Sequence, residues 1–146
     1  MRRFWSRLTR AQRHVLVAVA VYAFMAGALV GKADGRAIHW HTAGASVFGG
    51  ACEGGTLGYR GDFLPQFPHS FAELDMGQAL GLPYKAKVRF LHEGRKVTGV
   101  KRDIGGGGGN VRGQRRIFDF WEPLLTKLLG HRNCNWTGVV HWRRVQ

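Results

Sequence analysis

Acid is scarce in this sequence: nine Asp and Glu stand against 22 Lys and Arg over 146 residues, a net charge of +13. Cysteine is scarcer still, with only Cys52 and Cys134. Two cysteines make at most one disulfide, which leaves the fold to rest on one domain with a modest core. Metal chemistry has little to work with. His39 and His41 have ligand-like spacing, but no third ligand accompanies them, so no metal and no cofactor is expected. The run Gly105 to Gly109 lacks the Gly-Lys-Ser/Thr ending of a phosphate loop and reads as a flexible rim. No nucleic-acid motif and no internal repeat is present, so the high net charge by itself does not call for a nucleic-acid partner.

Charge is also absent where a membrane or export signal needs it to be. Residues 1–14 carry Arg2, Arg3, Arg7, Arg10 and Arg13 with no acid, and Val15 to Gly31 then runs 17 residues without a charge. A positive stretch before an apolar one is the pattern of a secretory signal, and Ala26-Gly27-Ala28 offers a small-residue cleavage site. At ~1.5 Å per residue the run falls just short of a ~30 Å hydrocarbon core, so a tilted single-span anchor is the other reading of residues 1–31. Arginines ahead of the run keep the N-terminus cytoplasmic and send the remainder outward in both cases. Residues 32–42 read as a linker and 43–146 as the working domain. In an exported chain Cys52 and Cys134 favour a disulfide, with two free thiols the alternative. The part beyond residue 36 holds fifteen basic and eight acidic residues, a net +7, so the exported domain is itself attracted to polyanions. Wall polymers and anionic lipid heads are the expected examples. The chain is expected to be a monomer.

The exported domain reads as mostly strand. Ala43 to Phe48 is β-compatible, and Gly49 to Gly61 is a glycine-rich loop. Phe71 to Leu80 is a short helix or irregular turn. In Lys85 to Leu91, Val88 and Phe90 alternate with Lys87 and Arg89, the period of a half-buried strand. Glu93-Gly94 supplies a tight turn to a returning strand, Arg95 to Arg102. Arg115 to Phe118 is a short strand. Trp121, Leu124, Leu125 and Leu128 make one apolar helical stripe. Asp119 is its expected N-cap, with Glu122 three residues on and Pro123 in the first turn, and Gly130 is its stop. Thr137 to Val145 is the last strand.

Phe71-Ala72-Glu73-Leu74, Leu82-Pro83-Tyr84-Lys85, Gly94-Arg95-Lys96-Val97, Lys101-Arg102-Asp103-Ile104-Gly105, Arg116-Ile117-Phe118-Asp119-Phe120 and Gly138-Val139-Val140 occur in an order that resembles the double-psi β-barrel of the rare lipoprotein A and expansin type. Gly50-Ala51-Cys52 and Gly58-Tyr59 resemble the expansin Gly-Ala-Cys-Gly-Tyr loop. The resemblance covers roughly residues 43–145. It implies a mainly β fold, a six-stranded double-psi barrel with one or two short helices and a groove for polysaccharide. By position it makes Asp103 and Asp119 the candidate catalytic residues. Three positions depart from the pattern. The turn after Asp103 is Ile-Gly rather than Arg-Gly-Pro. Leu74 stands where lytic members carry histidine. Ser46-Val47-Phe48 replaces the motif that holds the second carboxylate of related endoglucanases.

Two functions follow as expectations. One is a lytic transglycosylase acting on peptidoglycan, in which a single carboxyl of raised pKa serves as acid and then base. Asp103 beside Ile104 suits that work. The other is a non-catalytic glycan-binding barrel, expansin-like or a structural or virion-associated module, in which Asp103 only accepts backbone N–H bonds and pairs with Arg102 or Arg116. Tyr59, Tyr84, Arg102 and Arg116 are the expected glycan-binding residues. Trp40, Trp121, Trp136 and Trp142 are further aromatics able to stack on sugars, with Trp121 expected in the core.

Overall fold

The computed structural model describes residues 39–145; the expected signal or anchor and residues 32–38 of the expected linker lie outside them. Strand β1 spans His41–Phe48, β2 Ser70–Glu73, β3 Lys87–His92, β4 Arg95–Ile104, β5 Asn110–Val111, β6 Gln114–Trp121 and β7 Gly138–Arg144. A one-turn element α1 covers Leu74–Gly77, and the helix α2 covers Glu122–Leu129. His41 and Thr42, expected in the linker, belong to β1 because they pair with Trp142 and His141 of β7. Among the described residues no helix is long and apolar enough to cross a membrane.

The sheet runs β1-β7-β3-β4-β2-β6, and a β1–β6 pairing closes it into a six-stranded barrel, with β5 added as a hairpin on β6. Two of its pairs, β1–β6 and β2–β4, are parallel, and the rest are antiparallel. This is the mainly β double-psi barrel that the motif order implied. The alternation read from the sequence decides which side chains fill it. Val88 and Phe90 of β3, Val97 of β4, Phe118 and Phe120 of β6 and Val140 and Trp142 of β7 are all buried. Phe90 is the hub, meeting Phe118 at 5.0 Å and Phe120 at 4.7 Å edge to face, a favoured aromatic geometry.

Helix α2 packs on this core through Leu124, Leu125 and Leu128, and it stops at Gly130 in the left-handed region, as expected. Gly99 makes the packing possible. A Cβ there would lie 2.9 Å from Leu124 and 3.0 Å from both Phe71 and Phe90. The start of the helix differs from the expectation. Trp121 is its N-cap and Asp119 is not, because Asp119 lies inside β6 with strand partners on both sides. Trp121 is buried against Phe48.

The expected turn at Glu93-Gly94 is present, with both residues at positive φ. The stretch from Phe71 to Leu80 is part strand and part turn. Its conformation is held from inside by a buried ion pair. Lys101 Nζ lies 2.7 Å from Glu73 Oε2, and the two side chains are 4% and 0% exposed. Glu73 also accepts the N–H groups of Leu80 and Leu82, and Lys101 donates to the carbonyl of Leu82 at 2.6 Å. Each charge is therefore both paired and hydrogen-bonded, the condition under which buried charge is tolerated. The Cys52–Cys134 disulfide forms, linking the glycine-rich loop to the segment after α2.

Candidate carboxylate site

Strict alternation along β4 would place Asp103 on the same face as Val97, Gly99 and Lys101, inside the barrel. It is not there. The pairing of β2 with β4 shifts between Phe71 and Ala72: Phe71 pairs with Lys101, but Ala72 pairs with Asp103, leaving Arg102 as the extra residue of a bulge. A one-residue slip moves every later side chain to the other face. Asp103 thereby joins the face of Ala72, and Ala72 pairs on its other side with Asp119. Asp119 in turn pairs with Ser46 of β1.

Four residues, Ser46, Asp119, Ala72 and Asp103, thus form one row across four adjacent strands. With strands ~4.8 Å apart, the two aspartate Cα atoms stand ~10 Å apart, with only the methyl group of Ala72 between them. A second shift, in the β1–β6 pairing, leaves Ile117 as the extra residue and sets Arg116 opposite Gly44. Arg116 then reaches the same face and donates to Ser46 Oγ at 3.2 Å. Ser46 Oγ donates to Asp119 Oδ1 at 2.8 Å.

Both carboxyls titrate above the ordinary aspartate range. Burial pushes Asp103 up against two hydrogen bonds that favour its anion, from the backbone N–H groups of Ile104 and Tyr59. Burial also pushes Asp119 up, against the Ser46 hydroxyl and the nearby Arg116 charge, and the charge of Asp103 raises it further.

The loop over this face is tied down at three points. Gly58 sits against β4, where a Cβ would be 2.4 Å from the Arg102 carbonyl oxygen. Tyr59 donates its N–H to Asp103. Asp62 accepts hydrogen bonds from the Tyr84 hydroxyl and from Arg102, the latter at 3.1 Å. The Tyr84 bond, foremost, holds the Asp62 carboxyl below the usual range, and the same bond raises the Tyr84 phenol. Tyr59 and Tyr84 meet edge to face at 5.7 Å, and the Arg60 guanidinium lies over both rings. Tyr59 is 38% exposed, so this aromatic and cationic shelf faces solvent beside Asp103. Arg102 packs on Phe67 at 3.7 Å and lines a cleft of about 220 Å³ with Phe67, His69 and Val100.

The structure therefore brings Asp103, Asp119 and Arg116 onto one face. It places Tyr59, Tyr84 and Arg102 at the Asp103 end of that face. Neither Arg102 nor Arg116 pairs with Asp103; their partners are Asp62 and Ser46. Sequence reading passed over Ser46 as a motif departure and did not single out Ala72, Asp62 or Arg60. Asp62 had one available signal, an acid immediately after the glycine-rich loop in a chain poor in acid. Among the other aromatics, Trp121 and Trp142 are buried, and Trp40 lies under the Arg143 guanidinium, away from the row.

No family model matches the chain, and no curated protein matches it. Among solved structures it is similar to the apo form of an expansin from Clavibacter michiganensis, with a TM-score of 0.49 and 12% sequence identity. The alignment covers 74% of this chain and 51% of that one, so the chain spans about half the length of that structure.

Proposed function

We propose that this protein is an exported cell-wall barrel that cleaves a glycan strand lytically, with peptidoglycan as the substrate. The observation that carries the reading is the Asp103–Ala72–Asp119 row, in which two half-buried carboxyls of raised pKa flank the smallest chiral side chain beside the exposed Tyr59. In lytic cleavage no water is added. Asp119, holding a proton, gives it to the leaving glycosidic oxygen as the C1–O bond breaks. Asp103, as the anion, takes the proton of the sugar's own C6 hydroxyl as the C1–O6 bond forms. The two transfers balance, and the proton returns across the pair to restore the starting state. Arg116 and Ser46 orient Asp119, and the backbone N–H groups of Tyr59 and Ile104 orient Asp103. Tyr59 and Tyr84 offer stacking faces for sugar rings beside it. The disulfide fits an oxidising compartment, and the basic domain fits a wall rich in anionic groups.

The test is release of anhydro-muropeptides from purified sacculi by the full chain. Asp103→Asn and Asp119→Asn should each reduce release by about 10²–10⁴-fold, the usual worth of a positioned acid or base. A second reading rests on the two backbone hydrogen bonds to Asp103, which also suit a purely structural clamp. On that reading the barrel binds glycan without cutting it, as an expansin-like or a structural or virion-associated module. No release by the wild-type chain, with sacculus binding that survives Asp103→Asn, would establish binding without catalysis.

A further inference from the structure

Charge is segregated across this barrel. In the closed ring of strands, β3 and β7 lie opposite β2 and β6. The carboxylate row runs across β1, β6 and β2 to the C-terminal end of β4. On the far side, the outward residues of β3, of β7 and of the Arg95–Val100 part of β4 are basic or neutral. Thr98, Arg89 and Arg143 form one cross-strand row. Lys96, Leu91 and His141 form the next, and Lys87 lies two residues from Arg89 along β3. Of the eight acidic residues beyond residue 36, only Glu93, at the β3–β4 turn, borders this face. Among the described residues, Lys87, Arg89, Lys96 and Arg143 make no salt bridge. Arg89, Lys96 and Thr98 line a shallow cleft of about 230 Å³, roomy enough for a tetrahedral anion. Arg143 continues it toward Trp40.

We propose that the outer face of β3, β7 and the Arg95–Val100 part of β4 is a second binding surface, for a linear polyol-phosphate polymer rather than a nucleic acid, separate from the carboxylate row. The Arg89 guanidinium, the Lys96 ammonium and the Thr98 hydroxyl line the cleft, and Arg143 stands beside Arg89 in the same row. Guanidinium groups match phosphate oxygens in a fork geometry that a sheet can hold in place. Cations recur at ~5 Å across strands and ~7 Å along them, so successive charges of an extended polymer are met in turn. A lipid surface is the poorer fit. Interfacial binding inserts apolar side chains, and the exposed large apolar residues, Leu57, Tyr59, Phe63 and Met76, all lie off this face.

The experiment measures binding of the full chain to poly(glycerol phosphate) by titration at several salt concentrations. Parallel arms use vesicles of phosphatidylglycerol and phosphatidylcholine, and single-stranded DNA. Micromolar or tighter binding to poly(glycerol phosphate) is expected. Arg89→Gln/Lys96→Gln/Arg143→Gln should weaken it at least roughly tenfold and lower the slope of log K against log salt by about 2, near 0.7 per cation removed. Arg89→Lys/Arg143→Lys, which keeps the charge but loses the fork, should bind more weakly than the wild type and more tightly than the triple variant, and unchanged circular dichroism of both variants shows that the loss is not misfolding. Asp103→Asn should bind the polymer as the wild type does, whatever its effect on sacculi. Unchanged polymer binding in the triple variant overturns the proposal. So does binding confined to the vesicles or to DNA.

Discussion

At the scale of single residues, burial and hydrogen bonding set the aspartates apart, and pH reads the difference. Asp119 titrates above its unfolded value of about 3.9. The native state therefore keeps a proton that the unfolded chain has released. Stability falls as pH rises through the window between those two values, and it stays lower above them. Asp119→Asn removes this penalty while keeping an acceptor for Ser46, so its melting temperature should exceed that of the wild type at pH 7 and converge with it near pH 3. Asp62 behaves in the opposite sense. Its folded pKa is depressed, chiefly by the Tyr84 hydroxyl. The stabilisation it supplies is present above about pH 4 and is lost as pH falls through the folded value. Asp62→Asn should therefore melt lower than the wild type at pH 7, and the gap should narrow on acidification. Melts at pH 3, 5 and 7 check both.

At the scale of elements, the site depends on contacts that hold short segments against β4. Gly58→Ala places a Cβ 2.4 Å from the Arg102 carbonyl oxygen. The loop must lift, at a cost of about 1–3 kcal/mol, and Tyr59 then withdraws its N–H from Asp103. Urea denaturation measures the first effect. A rise in the Asp103 pKa, followed by carboxyl NMR, measures the second. Lys101→Met leaves the carboxylate of Glu73 buried and without its counter-ion. A loss of about 3–5 kcal/mol is expected, measured in the same way. Glu73→Gln should be the milder change, since the amide oxygen still accepts a hydrogen bond. Most elements were legible in the sequence, but β2 was not: Ser70–Glu73, expected as helix or turn, is a strand because it pairs with β4 and β6. The Val88/Phe90 alternation, the Glu93-Gly94 turn and the leucine stripe of α2 are patterns within a few residues of each other. The Asp119 cap was misread for the same reason. A capping box is local, and nothing local shows that Asp119 already has Ser46 and Ala72 beside it on neighbouring strands.

At the scale of the whole molecule, one covalent link joins distant parts of the chain. Cys52 and Cys134 are 82 residues apart. Closing a loop of that length restricts the unfolded chain enough to stabilise the fold by about 4.5 kcal/mol in the chain-entropy account. Cys52→Ser/Cys134→Ser should lower stability by up to that amount in guanidinium denaturation, with the barrel's circular dichroism retained below the transition.

What the sequence determined by itself was five of the strands and the main helix, the apolar residues that fill the barrel, the pairing of the two cysteines as one of two readings, and two aspartates as candidates. What only the tertiary structure decided was which way those aspartates face. Side-chain direction in a strand follows from counting residues by two, and one extra residue reverses the count. Whether Arg102 and Ile117 are extra depends on their partners in β2 and β1, tens of residues away in the chain. The two bulges turn Asp103 and Arg116 out of the barrel to stand with Asp119, and no pattern along the strand itself records them.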